Sequence, residues 1–415
     1  MAKLMCSMIS FCFYCTILTI CLTFIQRIVH SKTLGSDAEA LHSLLSSLDP
    51  NSISSSSFLN SWNFQADPCE SSGDQFLGIL CTIPEDNSSS RVTAINLDRA
   101  GYDGFLSPEI GNLTELIILN LNKNMFRGPI PDTISNLQKL TTLTLSENFF
   151  TGTIPTGVGN LRRLEIVDLS QNKLSGSIPA SISGLRSLTH LILSNNGFSG
   201  TIPDLTGLWQ LTSLDISSNQ LYGGMPKLPK SLQTVSLSHN ILSGRISSIG
   251  NLEQLLSLDL SDNRFSGSIE KEILTLPEVI SVNVSLNRFT LLEVGKFTGS
   301  QTQLQVIDAQ RNSLQGHLPV DLVTAENLTS INLGNNQFSG RIPREYGEKL
   351  GESWRILFLD HNFLVGSLPP QFSSTGAMTV SGSLANNCLK CPSNVPLCHG
   401  GQRPASECVG QDSRR

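Results

Sequence analysis

Between residues 92 and 389 the apolar positions return in one phase. The run Leu164-Glu-Ile-Val167-Asp-Leu169-Ser-Gln-Asn172-Lys-Leu174-Ser-Gly176-Ser-Ile178-Pro179 recurs with its asparagine at 124, 148, 172, 196, 219, 240, 263, 287, 312, 336, 362 and 387, and Ala100 holds that place one coil earlier. Alternation in the Leu-x-Leu part predicts a short strand with leucines turned inward and the intervening residues outward. One such coil cannot bury its leucines alone. Stacking coils about 4.8 Å apart makes a continuous parallel sheet and a shared core, so the pattern predicts a curved, twisted α/β solenoid of about thirteen coils, about 60 Å long, with the sheet on its concave face.

The other repeated positions have their own tasks. The asparagine points inward at the bend, where its amide satisfies backbone groups that would otherwise be buried unpaired. A glycine column at 128, 152, 176, 200, 224, 244, 267, 316, 340 and 366 permits a turn, and the Ile-Pro pairs stiffen the segment after it. Two stretches break the rhythm. The coil from 219 to 240 is short and carries Leu228-Pro229-Lys230-Ser231, and residues 290 to 303 lose the Gly-x-Ile-Pro register; each is either drift or a functional loop.

Both ends differ from the array. Ser36-x-x-Glu39 reads as a capping box, and Leu41, Leu44, Leu45 and Leu48 mark one face of a helix that Asp49-Pro50 ends. That helix is placed to cover the open end of the first coil. Upstream, Lys3 precedes the apolar stretch Leu4 to Ile25, and Val29-His30-Ser31 supplies small residues for cleavage, so residues 1–31 read as a signal peptide. The alternative is an uncleaved anchor, since the stretch is long enough to span a bilayer. The division is then 1–31 signal, 32–91 N-terminal cap, 92–389 repeats, and 390–415 cysteine-rich cap and tail.

Cysteine placement agrees with export. Outside the leader six remain, at the two ends only: Cys69, Cys81, Cys388, Cys391, Cys398 and Cys408. An even set in an oxidising compartment reads as disulfides, and the last four allow three pairings. Cys388-x-x-Cys391 is half of a zinc site, but no second such pair accompanies it, so no metal is assigned. Sequons at Asn87, Asn112, Asn283 and Asn327 fit the same route. Asn283 falls in a strand, facing the hollow, where a glycan would block part of the surface.

Composition narrows the class. Only 15% of residues are charged and the formal charge is −6, with no basic stripe, which excludes a nucleic-acid binder. No phosphate-loop, dinucleotide or His-Glu-x-x-His motif is present, and the Asp-x-Ser triplets at Asp168, Asp215 and Asp259 are repeat consensus. The sequence therefore predicts neither an enzyme nor a cofactor.

The Gly-x-Ile-Pro extension of the coil resembles the plant-type extracellular leucine-rich repeat. Residues 37 to 81, with Ser61-Trp62-Asn63, Asp67-Pro68-Cys69 and Gly78-Ile79-Leu80-Cys81, resemble the N-terminal cap of those proteins, with Phe76 where the family usually has tryptophan. Asn387-Cys388-Leu389, Gln402-Arg403-Pro404 and Glu407-Cys408 resemble the closing cap of wall-associated members. The resemblance implies a leucine-rich repeat fold with cysteine-containing caps, secretion to the apoplast or cell wall, and a protein or peptide ligand in signalling or defence, alongside a membrane receptor kinase. It also includes the polygalacturonase inhibitors, which have fewer coils and imply inhibition of microbial wall hydrolases. A wall scaffold binding polysaccharide is a third reading, against which the 6% aromatic content argues.

Binding residues are sought where outward strand positions depart from the generic Asp, Ser and Asn lining. Ile166, His190 and Ile192 do so near the middle. Towards the C-terminal end, Val306, Asp308, Arg311, Ile356, Phe358, Asp360 and His361 do so. An exposed aromatic beside a cation is the usual make-up of a binding hot spot. The competing reading packs Ile356 and Phe358 under the C-terminal cap. His190, His239 and His361 read as polar lining.

Overall fold

The computed structural model describes residues 32–70, 73–82, 88–297, 302–376 and 379–408. The expected signal peptide and the sequon at Asn87 lie outside the described residues. Each Leu-x-Leu segment forms a three- to five-residue strand, and these join into one fourteen-stranded sheet from Ile79–Cys81 to Ser381–Ser383. Every pairing in it is parallel except the first, where Ile79–Cys81 runs antiparallel to Val92–Asn96. The register never slips between coils; Ile166, His190 and Ser213 stand side by side, as do Asp168, Ile192 and Asp215. Behind the sheet the leucine, isoleucine and phenylalanine columns form one core, with Phe126, Phe150, Phe198, Phe265, Phe289 and Phe338 fully buried.

The asparagines act as expected. In Asn148 the amide nitrogen donates to Leu121 O (2.9 Å), Leu145 O (3.1 Å) and Ser146 O (3.1 Å), while its oxygen accepts from Phe126 N (2.9 Å). The same set recurs from coil to coil, as at Asn263. Each amide thus ties its own bend to the preceding coil.

Three sequence expectations are corrected. The segment after the asparagine, read as a turn with a stiffener, is a second ladder: a nine-stranded sheet from Asp103–Phe105 to Arg288–Leu292 and a four-stranded one from Gln315–His317 to Cys388–Lys390. In most of its strands the glycine two residues after a buried aromatic or leucine takes a positive φ, and in the short coil that residue is Gly223 (φ +93°), not Gly224; Arg288–Leu292 and Cys388–Lys390 pair without one. Finally, Ser36 is not a cap. The helix spans Gly35–Ser46 with Leu34 at its N-cap and no side-chain cap bond; Asp37, inside the first turn, is instead buried against Arg91.

The rest of the N-terminal cap follows its apolar pattern. Ala40, Leu41 and Leu44 are fully buried, Leu48 nearly so, and Leu45 packs at the edge. Phe76 stacks on Trp62 (6.1 Å) and meets Phe64 edge-on (5.1 Å). Gly78 is required there: a Cβ would lie 2.3 Å from Asn96 O. Cys69 is bonded to Cys81, Cys388 to Cys408 and Cys391 to Cys398, which selects one of the three C-terminal pairings. Arg403, held near the Cys408 end, covers the Phe363 ring at 4.4 Å and donates to Asn362 O at 2.9 Å, fastening the last segment to the array.

Candidate functional site

The hollow face is built from two outward residues per strand, which the fold leaves unused because the alternate residue supplies the core. The structure places all ten candidate residues on this face or at its rim, in two groups. In the middle, Ile166 lies beside His190 and Ile192 beside Asp168 and Asp215. Ile166 and Ile192 are half-buried; His190 is exposed, its Nδ1 2.9 Å from the Thr189 hydroxyl.

The second group surrounds a trough. Ser330–Asn332 runs between Val306–Asp308 and Ile356–Phe358, so that Ser330 separates Val306 from Ile356 and Asn332 separates Asp308 from Phe358. Ile356 is 38% exposed and Phe358 half-buried. Among the described residues the C-terminal cap leaves Ile356 exposed and Phe358 partly so. One further strand, Ser381–Ser383, pairs alongside, presenting Ser381 next to Ile356 and Ser383 next to Phe358.

Two separate polar clusters, one around Asp308 and one around His361, lie along this trough. Asp308 accepts from Gln310 N (3.0 Å) and from the Asn332 amide (3.2 Å). Burial raises its carboxyl above the ordinary aspartate range, with a smaller contribution from Asp259. Asp360 and His361 Nδ1 lie 2.7 Å apart, and Asn386 approaches His361 Nε2 at 2.9 Å, an arrangement satisfied when Asn386 donates and Nδ1 carries the proton. Arg311 and His361 both occupy the left-handed position before the inward asparagine (φ +53° and +54°), which projects them from the rim. Arg311 is exposed.

Three members escaped the sequence reading. Asn332 and Asn386 looked like generic lining, yet the first bonds Asp308 and the second His361. Gly334 stands where most coils carry serine; a Cβ there would come within 2.9 Å of Asp360 Oδ1. Its departure from the serine column was a readable signal. Asn283 faces the hollow, half-buried in strand Ser281–Asn283, and is the register partner of Asp308. Its oxygen accepts from Ser285 N and Oγ, as Asp168 and Asp215 do from Ser170 and Ser217. Asn112 and Asn327 are exposed and lie outside the hollow.

This combination of strand, inward asparagine and stacked core defines a leucine-rich repeat solenoid. Family comparison agrees: residues 138–198 match the leucine rich repeat, as do 115–137, 254–276 and 327–348, and residues 34–82 match the leucine rich repeat N-terminal domain. The chain carries leucine-rich repeats behind a leucine-rich repeat N-terminal domain. Among solved structures it is similar to the plant peptide hormone receptor RGFR1, determined in complex with RGF2 (TM-score 0.60, 30% identity, 69% of this chain and 50% of that one). It is also similar to a TDR receptor (0.55, 27%, 71% and 60%) and to a leucine-rich repeat protein of Leptospira interrogans (0.55, 28%, 72% and 74%). It thus spans half to three fifths of the two receptor chains. No curated protein matches it. Among the described residues no helix is long and apolar enough to cross a membrane, and no group of side chains is set to hold a metal ion.

Proposed function

We propose that this protein recognises a peptide or protein ligand in the apoplast, in signalling or defence, with a membrane receptor kinase as a further partner. The ligand sits in the C-terminal trough. The observation that carries this reading is exposed Ile356 with half-buried Phe358 on the hollow face, beside two organised polar clusters that the core does not need. Apolar anchors ringed by oriented polar groups are the make-up of a protein-binding hot spot. The similarity to a receptor solved with its peptide hormone supports the same use of the fold. The sequon at Asn283 adds a boundary: a glycan there would stand beside Asp308 and confine the ligand to the coils that follow.

Affinity capture from the cell wall of the source tissue tests the proposal. Wild-type protein is compared with a Phe358→Ala, His361→Ala pair, and captured peptides and proteins are identified by mass spectrometry. Loss of one defined species by about tenfold or more is expected, the effect of removing one hot-spot residue. Capture unchanged by the pair overturns the trough as the site.

A further inference from the structure

The second ladder has a solvent face of its own, separate from the hollow. Along its nine-stranded run the residues that alternate with the buried column from Phe126 to Phe289 point outward. At or just past these strands the outward cations are Arg127, Lys173, Arg245, Arg264 and Arg288, and the outward carboxylate is Asp103, already paired with Arg127 at 3.3 Å. A chain of formal charge −6 thus carries a basic face.

The cations are gathered at one end of it. Across the strands Gly197–Thr201 and Gln220–Gly223 the outward positions are neutral, and then Arg245, Arg264 and Arg288 follow in three successive coils. All three are exposed, and among the described residues no ion pair reaches them. The carboxylates close by in sequence are otherwise placed: Asp262 lies 2.7 Å from His239 Nδ1, Glu270 accepts from the Ser247 hydroxyl, and Glu293 is half-buried. Like charges on neighbouring strands repel, so this end of the face favours an anion.

Beside the arginines stand two apolar side chains that the core does not use. Tyr222 is 52% exposed and Ile241 39%, and the register sets them next to each other. Arg264 pairs in register with Ser243 and Arg288 with Ser266, while Arg245 lies over Gly267. Tyr222, Ile241, Arg264 and Arg288 line one open groove of roughly 640 Å³.

We propose that this groove is a second docking site, for a protein partner that presents an apolar side chain among carboxylates. Tyr222 and Ile241 receive the apolar side chain. Arg264 and Arg288, on strands about 4.8 Å apart, fork onto the carboxylates, with Arg245 at the flank. Tyrosine and arginine around an apolar centre are the residues in which protein-binding hot spots are rich. A long acidic polysaccharide is a poorer match, because the neutral strands interrupt the track of cations it would follow. The groove belongs to the second ladder and the trough to the first, so both can be filled at once.

Binding of the full secreted chain to an immobilised random copolymer of glutamate and tyrosine gives the test, with polygalacturonate as the rival probe. The copolymer is expected to bind, and the pair Arg264→Glu, Arg288→Glu, or Tyr222→Ala alone, is expected to weaken it about tenfold or more, as loss of a hot-spot residue does. These side chains are exposed, and circular dichroism spectra matching wild type exclude misfolding as the cause. The pair Arg162→Glu, Arg163→Glu makes the same charge change elsewhere on the surface and is expected to leave binding unaltered. So is the trough pair Phe358→Ala, His361→Ala, which separates this site from the ligand site. Failure of the wild type to bind the copolymer overturns the proposal, as does an equal loss in either of these control pairs. Polygalacturonate bound as tightly as the copolymer would assign the groove to an acidic polysaccharide, and equally overturns it.

Discussion

Arg91 forks onto Asp37 across the join between cap and array, its Nε 3.0 Å from Oδ2 and its terminal nitrogen 3.1 Å from Oδ1. Val92 N adds a third bond at 2.9 Å, and the Asp37 side chain is wholly buried. The carboxylate is therefore the pin between the first helix and the first long strand. Replacing Arg91 with alanine leaves a buried charge with only Val92 N and a long Ser36 hydroxyl contact, at a cost of about 3 kcal/mol. Arg91→Lys is expected to recover only part of this, since a point charge cannot form the fork. Urea unfolding followed by circular dichroism measures both; a shift of only a few tenths of a kcal/mol would remove the pin from the account.

Asn263 shows what each inward amide contributes. Its alanine variant strands Leu242 N in the preceding coil and removes one of two amide donors to Leu237 O, which costs about 2 kcal/mol. Because each coil touches only its neighbours, the loss should also weaken coupling across that point. A second unfolding transition, or a broadened one, is the expected calorimetric trace.

Leu286 occupies the left-handed position of its coil at φ +54°, where other coils place Asn195, Asn335 and Asn386. A γ-branched side chain gains nothing there and carries the left-handed penalty of about 1 kcal/mol. Leu286→Asn is expected to raise the melting temperature by about 2 °C, since asparagine tolerates this conformation. A fall in stability would mean that Leu286 makes a contact outweighing its backbone strain.

Asp308 gives the pH dependence. Its folded-state pKa is raised, so the stability it contributes is complete below the ordinary aspartate range and declines as pH rises through the shifted value. At neutral pH the ionised form is thus a burden. Asp308→Asn keeps the acceptor for Gln310 N, the arrangement that Asn283 and Asn332 already use in their coils. The variant should melt about 1–2 °C higher at pH 7, with the difference fading below about pH 4.

The repeating part of the fold was legible because one physical demand, burying a leucine column, acts at the same place in every coil. The inward asparagines, the strands and the helical face through Leu41 and Leu44 all follow from it. The second ladder was not, since residues such as Ser175 and Thr151 carry no apolar alternation to mark a strand, and its bonds join backbone to backbone. Ser36 misled for a related reason: a capping pattern describes a local contest, and the long-range pair between Asp37 and Arg91 won it. At the candidate site the apolar members, Ile356 and Phe358, stood out against a polar consensus. Asn332 and Asn386 did not, because their importance lies in whom they touch.

The second ladder has a mechanical corollary. Within each of its two runs, a coil hydrogen-bonded to its neighbours along two ladders resists being bent open or pinched shut. Any molecule entering the hollow finds a mould already set, so little binding energy is diverted into shaping the receptor. Selectivity would then reside in the fit of the guest, and a flexible guest would bear nearly all of the ordering penalty.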